Sequence, residues 1–358
     1  MKEINGKTFF ILFFIVLPMV FIPSFLVIDF YHSENDTQAK NLIKKLDQEI
    51  LPLLFLGDSV VTSYGACDSG KERIDELIHN LLGKEMISIS YAGYNMEVYE
   101  SYVNLVNGRR NPPEVVVIGI NLRTFSYDGA IKPASRWVTK RLYLATLDQG
   151  FQYLVSHIAT YIKYRFLKAA KKLESDFLEL PFISEGKNYG SVKDIYKKIE
   201  IPDTLECTKN ENKYPAQLAL SFRYNYMFDM DSQHPFFKNL NNLNTTLKKA
   251  GSKLVVYLTP LNFEDGDKYV GESFTLKVEK NLNVIREFLK VQNITYLDLS
   301  HISNKDQFID KKHACEHLNF EARQNVSLAI VQYLDSLGPK SAPSSREIRS
   351  MQSADKKQ

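Results

Sequence analysis

Cysteine is scarce, with three residues in a chain of 358. Three thiols cannot staple a chain of this length, and no C-x-x-C pair or Cys/His cluster has zinc-site spacing. A disulfide-framed mini-protein and a zinc module are therefore excluded. An excess of one charge is lacking too: 45 Lys+Arg against 42 Asp+Glu leave a formal charge of +3. A nucleic-acid binder needs a concentrated basic excess to displace counterions from phosphates, so nucleic acid is not an expected partner. No internal repeat is visible. Hydrophobic residues make up 44% of the chain, with 22 Phe and 20 Tyr, which removes wholesale disorder, collagen and coiled coil from consideration.

What the sequence does have is a long uncharged run at its start. Residues 8–28 carry no charged side chain, and one helix of that length crosses a hydrocarbon core of about 30 Å. A cleaved leader has a shorter apolar region, about 7–15 residues, ahead of a small-x-small site that is not found here. An uncleaved transmembrane anchor over 1–28 is therefore expected. Lys2 and Lys7 precede the run while Asp29, Glu34 and Asp36 follow it. That asymmetry keeps the N-terminus cytoplasmic and exports the rest as a single-pass protein of the cell membrane, with its body periplasmic or at the cell surface. Residues 336–358 have Ser, Pro and charge without apolar period and read as a disordered basic tail. Residues 29–335 remain for folding, long enough for two domains or for one domain with a large insertion.

Five apolar runs in this body read as buried strands: 51–57, 86–92, 114–120, 252–258 and 294–300. Each is rich in branched aliphatic or aromatic residues and ends at Gly, Ser, Pro or Asp. Between them, 71–83, 96–108, 240–251, 275–290 and 319–337 repeat apolar residues at three-to-four spacing, the period of an amphipathic helix. Strands of near-continuous apolar character alternating with helices imply an α/β domain: a doubly wound, flavodoxin-like, five-stranded parallel sheet with helices on both faces. Such sheets bind ligands at the carboxyl ends of their strands. The alternation breaks at 122–236, where no convincing strand is found, 153–173 has a basic amphipathic period and 180–215 looks irregular. This stretch reads as a largely helical insertion after the third strand.

The first strand runs directly into Gly57-Asp58-Ser59. A serine at this corner stands at the carboxyl edge of the sheet, where an acyl-transfer nucleophile is needed. The tripeptide alone is equally ordinary turn chemistry. Its company adds to it: Gly93 follows the second strand, Asn121 the third, and His317-Leu318-Asn319 precedes the last helix.

That order, G-D-S, then Gly, then G-x-N, then H-L-N, resembles the SGNH/GDSL hydrolase superfamily over 51–121 and 252–335. The resemblance implies Ser59 as nucleophile and His317 as general base. It also implies an oxyanion hole made of the Ser59 N–H, the Gly93 N–H and the Asn121 side-chain amide. A hydroxyl is a poor nucleophile until a base removes its proton, and three donors suit the negative oxygen of a tetrahedral intermediate. The sequence departs from the pattern at two places. Leu122 stands where G-x-N-D has Asp, and Ala314 stands where the family carries the Asp that orients its His. Glu316, Asp310 and Asp306 are the nearby carboxylates, and a dyad that relies on backbone carbonyls is the other option.

The anchored architecture, with YLTPLN at 257–262, is similar more loosely to bacterial cell-surface polysaccharide and teichoic acid O-acylation proteins. That implies an esterase or O-acyltransferase acting on acyl, foremost acetyl, esters of a surface glycan. A membrane-embedded acyl donor protein is then the implied partner. The alternative, favoured by Ala314, is a component of such a complex that binds acylated glycan without turnover.

No metal and no cofactor is expected, although His313 and His317 have helical metal-pair spacing. His32, His79, His157, His234, His301 and His313 are assigned surface or packing roles. A Cys67–Cys315 disulfide is permitted in an exported protein, but buried thiols are the default for all three cysteines. Arg136, Lys140, Arg141 and the basic residues of 163–172 read as a solvated face or as a contact for anionic headgroups or an acidic glycan.

Overall fold

The computed structural model describes residues 36–48, 51–126, 138–149, 181–184, 187–191, 215–310, 314 and 316–337. The anchor run, the 153–173 helix and residues 338–358 of the tail lie outside the described residues. Among the described residues no helix is long and apolar enough to cross a membrane.

Among the described residues the strands are β1 (Leu53–Gly57), β2 (Met86–Ser90), β3 (Val115–Ile120), β4 (Pro181–Ser184), β5 (Lys187–Ser191), β6 (Lys253–Leu258) and β7 (Thr295–Asp298). The helices are α1 (Asp36–Gln48), α2 (Ser59–Thr62), α3 (Ile74–Leu82), α4 (Met96–Asn104), α5 (Val138–Gln149), α6 (Pro215–Tyr226), α7 (Pro235–Ala250), α8 (Phe263–Val270), α9 (Ser273–Val291) and α10 (Phe320–Leu337). One five-stranded sheet has the order β2-β1-β3-β6-β7, and every neighbouring pair in it is parallel. The chain steps from β1 outward to β2, then returns to β1's other side for β3. That reversal opens a crevice at the carboxyl ends of β1 and β3.

The continuous apolar strands follow from burial on both faces. Leu54 and Leu56 of β1, Val116, Ile118 and Ile120 of β3, and Leu254, Val256 and Leu258 of β6 belong to one core. Their alternates Leu53, Phe55, Val117, Val255 and Tyr257 belong to the other. The first core is covered by apolar faces of α1, α4, α7 and α9, such as Tyr102, Leu240 and Ile285. The second is covered by Ile74 and Ile78 of α3 and by Ala322, Val326 and Ile330 of α10. Burying each Val, Leu or Ile side chain contributes about 1.5–3 kcal/mol relative to exposure, which is what holds the period-2 register against a one-residue slip.

The insertion differs from expectation. β4 and β5 form an antiparallel hairpin at 181–191, inside the stretch read as strandless. The strands are short, four and five residues, and Gly and Ser interrupt the alternation on which a strand reading depends. One basic residue of this region is not on a solvated face, and a second is in an ion pair. Lys140 is buried, with Nζ 5.6 Å from the ring centroids of both Tyr102 and Tyr143. Arg141 Nη1 lies 2.7 Å from Glu97 of α4. Helix α6 closes onto the loop before α10: Ser221 Oγ accepts from Ala314 N at 2.9 Å, and Asn225 Nδ2 and the Tyr226 hydroxyl donate to Ala314 O.

Candidate active site

The turn after β1 is tight because Gly57 has no side chain. A Cβ there would stand 2.5 Å from Val61 Cγ2 and 2.7 Å from Ser90 Oγ. Asp58 then caps the short helix α2, its Oδ1 accepting from Val60 N at 2.9 Å. Ser59 opens that helix half-buried, and as its first residue its N–H has no intrahelical acceptor. Burial pushes the Asp58 carboxyl up from its ordinary value. The Val60 N–H, Arg123 and His317 oppose that rise, and Glu316 adds to it. Segments distant in sequence thus converge on the residue before Ser59.

From β2, the Tyr91 N–H donates to Gly57 O at 3.2 Å, which sets the following turn beside the Ser59 corner. Within it Gly93 is exposed and has φ +83°, a left-handed conformation that side-chain-bearing residues rarely adopt. From β3, Asn121 is buried. Its Oδ1 accepts from Arg123 N at 2.9 Å. Its Nδ2 donates to Glu316 Oε2 at 3.0 Å and approaches Asp58 Oδ2 at 3.5 Å, the limit of a hydrogen bond.

His317 is delivered by a short antiparallel pairing ahead of α10. Phe308 bridges Leu318, Ile309 N donates to His317 O at 3.0 Å, and Asn319 N donates to Gln307 O at 2.8 Å. This pairing sets Ile309 opposite His317 and brings the next residue, Asp310, within reach of the ring: Asp310 Oδ2 lies 2.9 Å from Nδ1. The two atoms are at ion-pair distance without forming a hydrogen bond. His317 Nε2 is buried and makes no hydrogen bond, to Ser59 Oγ included. Catalytic hydrogen bonds are often loose until substrate is bound.

The three carboxylates considered beside His317 take different places. Asp310 faces Nδ1; Glu316 faces away, onto Asn121 and Arg123, whose Nε lies 3.3 Å from Glu316 Oε2; Asp306 is exposed. Ala314 packs its side chain into the core while α6 holds its backbone, so an acidic residue there would be buried among apolar groups. Arg123 escaped the sequence reading because nothing in a 3-10 turn after β3 marks one arginine from another. Cys67 also departs from the buried-thiol default. It is exposed and disulfide-bonded, with its partner outside the described residues. His313 lies outside them as well. Among the described residues no group of three or more His, Cys, Asp or Glu is arranged to hold a metal ion. A cavity of about 440 Å³ between α3 and β2, lined by Glu72, Asp75, Glu76 and His79 among others, includes none of the residues at the crevice.

No protein-family model matches the sequence, and no curated protein is similar to it. Solved structures are. Est24, a carbohydrate acetylesterase from Sinorhizobium meliloti, is 9% identical with a TM-score of 0.37, over 80% of this chain and 99% of that one. The M. smegmatis aryl esterase gives the same identity, TM-score and coverage. A catalytic mutant of Axe2, an acetylxylan esterase from Geobacillus stearothermophilus, is 9% identical with a TM-score of 0.34, over 78% of this chain and 92% of that one. At such identity and TM-score a likeness says nothing about chemistry, which has to be read from this chain's own residues.

Proposed function

We propose that the chain is a serine ester hydrolase or O-acyltransferase of the SGNH kind. Ser59 Oγ attacks the ester carbonyl while His317 Nε2 takes its proton, and Asp310 holds the ring through Nδ1 and stabilises the imidazolium. The tetrahedral oxyanion is met by the Ser59 N–H, the Gly93 N–H and Asn121 Nδ2. Collapse breaks the bond to the leaving oxygen, which receives the proton from His317, and an acyl-Ser59 remains. Water or a sugar hydroxyl then gives its proton to His317 and takes the acyl group, restoring Ser59.

The observation that carries this reading is the Asp310–His317 contact beside a buried, unengaged Nε2. It supplies the carboxylate whose absence at position 314 argued for a site without turnover. The uncharged run at 8–28 and the basic residues near it in sequence support the finer reading: an anchored, extracytoplasmic enzyme that acts on acetyl esters of a surface glycan beside a membrane-embedded acyl donor. A second reading, a glycan-binding component without turnover, draws on the missing Ser59–His317 hydrogen bond.

The test is hydrolysis of p-nitrophenyl acetate by the full chain in detergent, with Ser59→Ala and His317→Ala as controls, beside fluorophosphonate labelling to capture a strict transferase. Turnover or labelling that both substitutions abolish is the expected result. Background turnover indifferent to both, together with no label on Ser59, favours the binding component.

A further inference from the structure

Glu316 is the most completely buried acidic side chain at the crevice, 1% exposed, and the roles proposed above do not use it. It precedes His317 in the chain yet turns away from the imidazole. Oε2 accepts from Asn121 Nδ2 at 3.0 Å and stands 3.3 Å from Arg123 Nε, while Oε1 is buried without a hydrogen-bond partner. Taking a carboxylate out of water costs several kcal/mol, and one guanidinium contact with one idle oxygen recovers that poorly. Apolar residues of similar volume would serve packing better. The cost makes sense where the acceptor fixes something else.

What it fixes is the Asn121 carboxamide. An asparagine amide can be turned end for end, exchanging its oxygen and its NH2. Here Arg123 N is a donor that demands the oxygen, and Glu316 Oε2 is an acceptor that demands the NH2. The two constraints agree on one orientation, with Nδ2 toward the turn that carries Ser59. Glu316 takes the first Nδ2 hydrogen at 3.0 Å. The second meets Asp58 Oδ2 only at 3.5 Å and is the one a substrate oxygen can claim.

We infer that Glu316, backed by Arg123, is a positioning residue that sets the orientation of Asn121 as an oxyanion donor and ties the loop of His317 to the end of β3. This rests on the esterase or acyltransferase reading above.

The test is a double-mutant cycle on the full chain with p-nitrophenyl acetate. Glu316→Ala is expected to lower kcat about as far as Asn121→Ala, on the order of 10²- to 10³-fold, the usual loss for one oxyanion donor, with KM nearly unchanged. The double variant should be no slower than Asn121→Ala, because the first substitution acts through the second residue. Glu316→Gln keeps an acceptor oxygen and should restore most of the rate, which a role in bulk packing would not explain. If Glu316→Ala does not fold, Glu316→Met fills the same volume without an oxygen acceptor and takes its place. Wild-type kcat in a folded Glu316→Ala or Glu316→Met chain, a loss confined to KM, or losses that multiply with that of Asn121→Ala would overturn the inference and leave the enzyme standing. A parent chain with neither turnover nor labelling dependent on Ser59 overturns both, since no donor then needs positioning.

Discussion

Asp310 Oδ2 lies 2.9 Å from Nδ1 of His317, with the two side chains 6% and 15% exposed. In the proposed mechanism this carboxylate orients the ring through Nδ1 and leaves Nε2 to face Ser59. Asp310→Asn keeps the shape and removes the charge, so turnover should fall by about 10²- to 10⁴-fold with little change in folding. Asp306→Asn, at an exposed position in the same loop, should leave turnover as it is. Steady-state kinetics on p-nitrophenyl acetate check both, and equal rates for the Asp310→Asn chain and its parent would remove Asp310 from the mechanism.

All five strands of the sheet were legible, and in the central three, β1, β3 and β6, burial on both faces leaves near-continuous apolar runs such as VVVIGI. Ser59, Gly93, Asn121 and His317 were singled out because each follows a strand or precedes the last helix, and the strand ends are where such a sheet binds ligands. For the carboxylate beside His317 the sequence offered three candidates, Glu316, Asp310 and Asp306, without choosing Asp310. The resemblance points to a spacing of three residues, whereas the antiparallel pairing of 307–309 with 317–319 closes a loop across which residue 310 meets residue 317. Long-range pairing of this kind leaves no period in the sequence. The hairpin at 181–191 was missed for the opposite reason, being too short to establish a period.

Cys67 follows α2 in a loop that is also tied to α10, since Asp68 Oδ2 lies 2.7 Å from the buried Arg323 Nη1. Proteolysis without reductant should release Cys67 in a disulfide-linked peptide, and its mass will name the partner, Cys315 or Cys207. A native bridge is worth about 2–4 kcal/mol. Reductant should therefore lower the Tm of the parent and leave that of Cys67→Ser unchanged. Full alkylation of Cys67 in the untreated, folded chain would count against the bridge.

His234 caps α7 through Nδ1, which accepts from Phe236 N at 3.2 Å and must be unprotonated to do so. Desolvation lowers its pKa from 6.5, against a hydrogen bond with the Phe125 backbone and the charge of Asp231, which raise it. The folded state therefore binds fewer protons than the unfolded chain below about pH 6.5. The stability tied to this group is fully present above that pH and is lost as pH falls toward and through the folded value. His234→Asn caps the helix without titrating. Its Tm should fall less steeply than the parent's between about pH 7 and pH 5, as read by circular dichroism melts. Parallel Tm curves would show that the imidazole titrates alike in the folded and unfolded states.

Asp58 has the opposite sign. Burial raises its pKa from 3.8, with Glu316 adding to the rise and the Val60 N–H, Arg123 and His317 opposing it. Tyr99 and Tyr257 lie close enough to feel the carboxylate as well, and neither hydroxyl has a hydrogen-bond partner to offer it. The folded state thus keeps the proton to higher pH than the unfolded chain does, and stability falls as pH climbs from about 3.8 to the folded value, then levels. Asp58→Asn has no proton to lose, while its side-chain oxygen can still accept from Val60 N, since Asn caps a helix about as well as Asp. The Tm of the variant relative to the parent should therefore rise as pH climbs from about 3.8 and stay flat once the folded value is passed. A relative Tm that falls over the same range would mean that the Val60 N–H, Arg123 and His317 outweigh burial. Asp58 would then enter the crevice as a stabilised anion, one more negative charge beside Glu316, and Asn121 would be held harder against the carboxylates and away from an oxyanion.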